Sequence, residues 1–188
     1  QSALFTATTA SNNTAVGSNA LKFTTTGADN TAVGRSALAS NTTASFSTAV
    51  GRSALAANTT GEYNTAVGRN SLLSSTTASY NTVVGANAGD ALTTGAQNTV
   101  VGYNAFTSAT TAAYSVALGY RALLNITTAN YNTAVGYDSM KDTTTGANNT
   151  ALGGRSLQSC TTGSSNVALG DYALNTSTTA SNNTAIGT

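Results

Sequence analysis

The phrase Asn-Thr-Ala-Val-Gly, first seen at residues 13–17, recurs along the chain at an unbroken 17-residue period. The glycines that close the copies are Gly17, Gly34, Gly51, Gly68, Gly85, Gly102, Gly119, Gly136, Gly153, Gly170 and Gly187. A fixed period in this range is typical of stacked repeat arrays, in which each repeat contacts only its neighbours. We therefore expect a single uninterrupted array over residues 1–188. Because the first and last copies have the character of internal repeats, we also expect it to be a segment of a longer fibre.

Each repeat predicts two short strands joined by turns. Thr-Ala-Val favours a strand because Thr and Val are β-branched, and the following glycine permits a turn with positive φ. The Ala-Leu segment that follows predicts a second strand, and the Thr-Thr pair followed by Gly or Ala predicts the return turn. No 3.6-residue apolar stripe indicates a helix. The predicted fold is all-β: a parallel β-solenoid, or β-roll, of eleven 17-residue coils forming a rod on the order of 50 Å long.

Stacking places equivalent positions of successive coils above one another, so each position becomes a ladder. We expect the Asn side chains to form a hydrogen-bonded amide ladder, and the Val and Leu columns to face each other across a thin roll. The small Ala column between Thr and Val is then expected to face outward and to pack against another chain. Gly89 interrupts the Leu column, and Leu92 is expected to compensate. The predicted structural ladders comprise Asn13, Asn30, Asn64, Asn81, Asn98, Asn132, Val16, Val33, Val50, Leu21, Leu38, Leu55, Gly17, Gly34 and Gly51.

The composition predicts no catalytic, cofactor or metal site. Only 7% of the residues are charged, His is absent, and Cys160 is the single cysteine. These absences remove the commonest general base and metal ligand, as well as cysteine-based metal sites and disulfides within the chain. A net charge of +1 does not indicate a nucleic-acid partner. The sequence also lacks an apolar run long enough for membrane insertion.

Two longer phrases carry a resemblance to known repeats. Asn-Thr-Val-Val-Gly-Tyr-Asn-Ala-Phe at 98–106 and Asn-Thr-Ala-Val-Gly-Tyr-Asp-Ser-Met at 132–140 resemble repeats of bacterial and phage tail-fibre-like proteins. Val-Ala-Leu-Gly at 116–119 and 167–170 is similar to the Ser-Val-Ala-Ile-Gly phrase in the shorter head repeats of YadA-type trimeric autotransporter adhesins. The resemblance covers the whole chain. It implies a left-handed parallel β-roll, a homotrimer of side-by-side chains, and a role in adhesion or as a fibre shaft on an extracellular, cell or virion surface.

Several surface positions are candidates for binding or modification. The position directly after the repeat glycine holds Arg35, Arg52 and Arg69, then Tyr103, Tyr120 and Tyr137. The arginines would form either a basic stripe for acidic cell-surface glycans or a solvated turn, and the tyrosines would bind sugars or cover the turn. A second aromatic column, expected at an interface or over the edge of the roll, comprises Phe46, Tyr63, Tyr80, Tyr114 and Tyr131. Asn41 and Asn58, in Asn-x-Thr sequences on a presumed outer turn, are the candidate glycosylation positions.

These features predict a non-catalytic structural or adhesive module of an extracellular filament, surface adhesin or tail-fibre-like assembly. Its partners would be copies of itself, as a homotrimer or an end-to-end filament, and cell-surface glycans. Two alternatives remain: an ice-binding solenoid that uses its Thr columns, and a carbohydrate-binding surface that uses the Tyr ladders. The adjacent position of the paired threonines argues against the first, because neighbouring residues of a strand point to opposite faces.

Overall fold

The computed structural model describes residues 2–188, which form a single stack of coils with one three-residue strand in each. The strands are β1 (Thr14–Val16), β2 (Thr31–Val33), β3 (Thr48–Val50), β4 (Thr65–Val67), β5 (Thr82–Val84), β6 (Thr99–Val101), β7 (Val116–Leu118), β8 (Thr133–Val135), β9 (Thr150–Leu152), β10 (Val167–Leu169) and β11 (Thr184–Ile186). The predicted all-β fold is confirmed.

The strands form one parallel sheet in which each strand pairs with the strands before and after it in the sequence. In the pairing of β2 with β3, Thr31 lies beside Thr48 and Val33 beside Val50. Every other pair keeps the same 17-residue register, because no repeat contains an insertion. The chain is therefore a parallel β-solenoid, as the period predicts.

The second strand predicted for each repeat is absent from the described coils. In the second coil, Ser36 and Leu38 have φ angles of 59° and 49°, which belong to the left-handed region, and equivalent residues of the other coils do the same. Leu38 donates its N–H to the Ala54 carbonyl of the next coil at 3.0 Å. A left-handed non-glycine residue costs roughly 1–2 kcal/mol. Complete burial of the leucine side chain, about 1.5–3 kcal/mol, offsets this cost.

The glycine that follows each strand is required by both backbone angle and space. Gly34 has a φ of +137°, a region closed to residues with a side chain. A Cβ at Gly34 would lie 2.5 Å from the carbonyl oxygen of Gly51 in the next coil. The same crowding recurs at Gly17 and Gly51. The turn role predicted for these glycines is confirmed, and close coil stacking is a second reason for them.

The strands turn their small residue inward, opposite to the prediction. Ala32 and Ala49 are fully buried in the core cluster that also contains Leu38. The interior of most coils holds a leucine from one wall and an alanine from the strand, and the coil of β6 holds Phe106 and Val100 at these two positions, both fully buried. The predicted pairing of Val and Leu ridges across the roll is therefore wrong. The Val residues predicted to lie inside, which instead point outward, are Val16, Val33 and Val50.

The Leu column lies inside as predicted, with Leu21, Leu38 and Leu55 fully buried. Where Gly89 interrupts it, Leu72 Cδ2 lies 3.4 Å from the position that a Cβ would take, and both Leu92 and Val83 are fully buried. A Cβ added to Gly89 would also lie 3.8 Å from Val83 Cγ1. Leu72 and Val83 border the missing side chain, and the compensation expected from Leu92 stays a prediction.

The Asn ladder joins neighbouring coils. Asn64 is fully buried, and its Nδ2 donates to the Ala78 carbonyl at 2.7 Å. Its Oδ1 accepts the N–H of Asn81 in the next coil at 3.0 Å. These side-chain amides form hydrogen bonds with backbone groups that would otherwise be buried without partners. The other predicted ladder members make the same pair of contacts: Asn13, Asn30, Asn81, Asn98 and Asn132.

Candidate functional site

The outward face of the strands is a regular surface that runs along the whole sheet, and we call it the strand face. It consists of two parallel columns, one at the first and one at the third residue of every strand. The first column is Thr14, Thr31, Thr48, Thr65, Thr82, Thr99, Val116, Thr133, Thr150, Val167 and Thr184. The second is Val16, Val33, Val50, Val67, Val84, Val101, Leu118, Val135, Leu152, Leu169 and Ile186.

The strand face leaves large apolar side chains in contact with solvent. Val101, Leu152 and Leu169 are 40%, 46% and 41% exposed, whereas the alanines between the two columns in β2–β4 and β7–β10 are buried. An aliphatic stripe repeated about every 4.8 Å along the whole sheet is unusual for a surface that stays in water. The sequence predicts a packing surface at Ala32 and its equivalents, but Ala32 is fully buried. The large apolar side chains that another chain could cover are those of the Val column.

The residues directly after the strand glycines line one corner of the solenoid, which we call the corner column. It comprises Ser18, Arg35, Arg52, Arg69, Ala86, Tyr103, Tyr120, Tyr137, Gly154, Asp171 and Thr188. Arg35, Arg52 and Arg69 are exposed and occupy successive coils. Among residues 2–188, the ion pairs found are Arg121 with Asp138 and Lys141 with Asp142, so neither involves these arginines.

The tyrosines of the corner column form a stack. The ring centroids of Tyr103 and Tyr120 are 5.8 Å apart, and those of Tyr120 and Tyr137 are 5.3 Å apart, with nearly parallel planes. Both faces of the Tyr120 ring are therefore covered by neighbouring side chains. The stack presents ring edges and hydroxyl groups outward rather than open faces.

Two further arginines, which sequence reasoning did not single out, lie beside this stack. Arg121 donates Nε and Nη2 to the two carboxylate oxygens of Asp138 at 2.8 and 2.7 Å. The hydrogen bond to Asp138 raises the pKa of Arg121 above its usual value. Arg155 contacts the rings of Tyr137 and Tyr172 and hydrogen-bonds to the Tyr172 hydroxyl, and the pKa of Arg155 is raised, chiefly by its hydrogen bond to Tyr137. In the sequence, Arg121 lies 17 residues before Asp138, and Arg155 lies 17 residues before Tyr172. This spacing is the sequence signal from which the two contacts could have been predicted.

The second aromatic column is also exposed and stacked. Phe46 and Tyr63 have centroids 4.9 Å apart, and Tyr63 and Tyr80 follow at 5.2 Å. Gln97 takes the next place, after which Tyr114 and Tyr131 stack at 4.9 Å. The rings stack on one another along the axis. They lie on the outside of the roll, because 46–58% of each residue's surface is exposed.

Each Thr pair divides its roles between its two members. The first donates its hydroxyl to the next coil, as Thr59 does to the Thr76 carbonyl at 3.0 Å. The second, such as Thr60, is exposed. The pairs thus supply one internal hydroxyl ladder and one external threonine column. The external column is invariant: Thr9, Thr26, Thr43, Thr60, Thr77, Thr94, Thr111, Thr128, Thr145, Thr162 and Thr179.

The candidate glycosylation positions are not on an outer turn. Asn41 and Asn58 are fully buried, and their Nδ2 atoms donate to the carbonyls of Ala44 and Gly61 at 3.1 and 2.9 Å. A glycan on either amide would have no room in the folded coil, so that prediction is wrong. Cys160 occupies the equivalent position and is also buried, and burial raises the pKa of its thiol.

The described residues offer little of the side-chain chemistry used in catalysis. Over residues 2–188 there is no cluster of three or more His, Cys, Asp or Glu residues that could hold a metal ion. Asp138 and Asp142, which are close in sequence, are each engaged by a neighbouring cation, Arg121 and Lys141. In the same part of the chain, no helix is long and apolar enough to cross a membrane.

Comparison of the chain with protein-family models, curated proteins and solved structures found no match.

Proposed function

We propose that this chain is a non-catalytic structural module of an extracellular fibre, surface adhesin or tail-fibre-like assembly, in which copies pack side by side through the strand face. The observation that carries the proposal is the aliphatic column on the outside of the sheet, which is at least partly exposed in every coil although the core is already complete. Burial of apolar surface is the main driving force of association. A threefold arrangement, implied by the resemblance to trimeric adhesin heads, would bring three such faces together.

The coil backbone also supports continuation along the axis. Nearly every turn uses its N–H and C=O groups for bonds to the coils above and below, as in Leu21 to Ala37 and Gly34 to Val16. A solenoid of this kind extends by adding identical coils, whether in the same polypeptide or in another copy. We therefore include end-to-end packing in the proposal.

Analytical ultracentrifugation tests the side-by-side contact. The chain mass is 18.6 kDa, and we expect the wild-type protein to sediment as a trimer of about three times this mass. Val50→Lys/Val67→Lys places two charges in the middle of the strand face and should give monomers, because buried unpaired charges are strongly unfavourable. Thr43→Lys/Thr60→Lys adds the same charge to the external threonine column and should leave the mass unchanged.

Circular dichroism and melting temperature must show that both variants are folded. A wild-type protein that is monomeric at every concentration would contradict the proposal. So would a folded strand-face variant that keeps the wild-type mass.

Ice binding by the same face is a second candidate. The strand face repeats a threonine hydroxyl and methyl beside a valine at constant register, as at Thr48 and Val50 or Thr65 and Val67. This arrangement differs from the Thr pairs considered in the sequence, which separate into an internal and an external column. A monomeric wild-type protein that shows thermal hysteresis, lost in Thr48→Lys/Thr65→Lys, would favour this function over assembly.

A further inference from the structure

The arginine half of the corner column is a row of cations without acidic partners. Arg35, Arg52 and Arg69 are exposed, lie in consecutive coils, and take part in neither of the ion pairs found within residues 2–188. Equivalent positions of successive coils are about 4.8 Å apart, so like charges repel along the row. An anion that runs parallel to the solenoid axis would relieve this repulsion.

The other half of the same corner contains arginines that are held by contacts with other side chains of the chain. Arg121 is held in a bidentate contact by Asp138, and Arg155 is packed against the rings of Tyr137 and Tyr172. Coils of nearly identical backbone thus hold one set of guanidinium groups in internal contacts and leave another set open. The open set keeps its planar donors available for carboxylate or sulfate oxygens.

The geometry favours a linear ligand. Three arginines and three tyrosines occupy the same position of successive coils, interrupted only by Ala86. Because both ring faces of Tyr120 are covered by its neighbours, the middle of the tyrosine half lacks the open aromatic faces that stacking with nucleic-acid bases requires. The outward ring edges and phenol hydroxyls suit hydrogen bonding to a polyhydroxylated chain.

We propose that the corner column from Arg35 to Tyr137 binds a linear acidic polysaccharide along the solenoid axis. The arginines contact its carboxylate or sulfate groups, and the tyrosine edges contact its hydroxyls. The surface begins one residue beyond the glycine that ends each strand, so it is separate from the strand face and does not depend on the proposed assembly.

Titration calorimetry with polygalacturonate and with dextran sulfate tests this assignment and distinguishes carboxylate from sulfate recognition. Neutral dextran and single-stranded DNA are the comparison ligands. We expect at least one acidic polysaccharide to bind, with an affinity that falls as salt rises, and Arg35→Gln/Arg52→Gln/Arg69→Gln to weaken binding at least tenfold.

The matched control is Thr43→Glu/Thr60→Glu/Thr77→Glu, which changes the net charge by the same three units in the same coils but on the external threonine column. It should weaken binding less than threefold. Equal losses in both variants would show attraction to net charge alone and overturn the proposal. Unchanged binding in the glutamine variant, the absence of binding to both acidic polysaccharides, or tighter binding of DNA would also overturn it.

Discussion

The two sides of the same three-residue strands differ in size, exposure and constraint. Ala32 faces inward and is fully buried, while its neighbour Val33 faces outward and remains partly exposed. The inner side packs in the closed interior that also contains Leu38, whereas the outer side is open to solvent. The comparison teaches that bulk on a strand of a thin solenoid need not mark its core. The larger residue can belong to a surface that awaits a partner.

The largest effect should come from crowding inside the stack. We expect Gly34→Ala to destabilise the protein by about 4 kcal/mol or more, since its Cβ would meet the Gly51 carbonyl oxygen at 2.5 Å. Gly89→Ala is the control, because Gly89 has a φ of +55° and its nearest neighbour, Leu72 Cδ2, would be at 3.4 Å. It should cost about 1 kcal/mol. Chemical denaturation of the two variants measures the difference, and equal losses would show that coil spacing is not the constraint.

The inner and outer columns should respond differently to truncation. Leu38→Ala removes a fully buried side chain and should reduce the free energy of unfolding by about 2–5 kcal/mol. Val33→Ala removes partly exposed surface and should cost less than about 1 kcal/mol in the isolated chain. Urea titration at a concentration low enough to keep the chain monomeric separates the two. A Val33 loss as large as the Leu38 loss would mean that the valine column is part of the core.

Two replacements of one residue in the Asn ladder should reduce stability by different amounts. Asn64→Ala leaves the Ala78 carbonyl and the Asn81 N–H buried without their partners and should cost about 2–4 kcal/mol. Asn64→Ser should lose less, because Ser47 accepts the N–H of Asn64 at 3.2 Å from the equivalent position. Thermal melting of both variants tests this ranking. A serine variant as unstable as the alanine variant would show that the Nδ2 bond, rather than the oxygen acceptor, carries the ladder.

The smallest expected effect concerns Cys160. Burial raises its folded-state pKa, so its contribution to stability is complete below the unfolded-state pKa, about 8.5, and is lost as pH rises through the folded value. We expect slow reaction with iodoacetamide at pH 8.5 in the native protein and fast reaction in denaturant. Cys160→Ser/Thr162→Cys, with an exposed thiol, should react quickly in both states. Fast native labelling of Cys160 would place this position on the surface.

The sequence was sufficient for the architecture because each coil repeats the same requirements. The unbroken glycine spacing predicts parallel stacking in register, and the Asn column predicts an amide ladder, both of which are present. The left-handed conformation of Leu38 was not predictable from propensity, because leucine rarely adopts it and its burial provides the compensation.

The surfaces were harder to predict because side-chain direction follows from that missed turn. Replacing the expected second strand by a tight turn narrows the roll, which brings Ala32 inside and sends Val33 outside. The same change places Asn41 and Asn58 inside rather than on an outer turn. The arginine and tyrosine columns were correctly identified as ladders, since column identity depends only on the period. The contact of Arg121 with Asp138 depends on rotamers, which the period does not specify.

The central claim, that the strand face is the surface joining neighbouring chains, is most directly tested by spin labels on opposite sides of one coil. In a Cys160→Ser background, a nitroxide at Val67→Cys should show strong spin–spin broadening, removed by dilution with unlabelled protein, because equivalent strand faces meet. A nitroxide at Thr60→Cys, on the external threonine column, should give a sharp spectrum. Broadening at Thr60 but not at Val67, or sharp spectra at both positions in an assembled particle, would contradict the account.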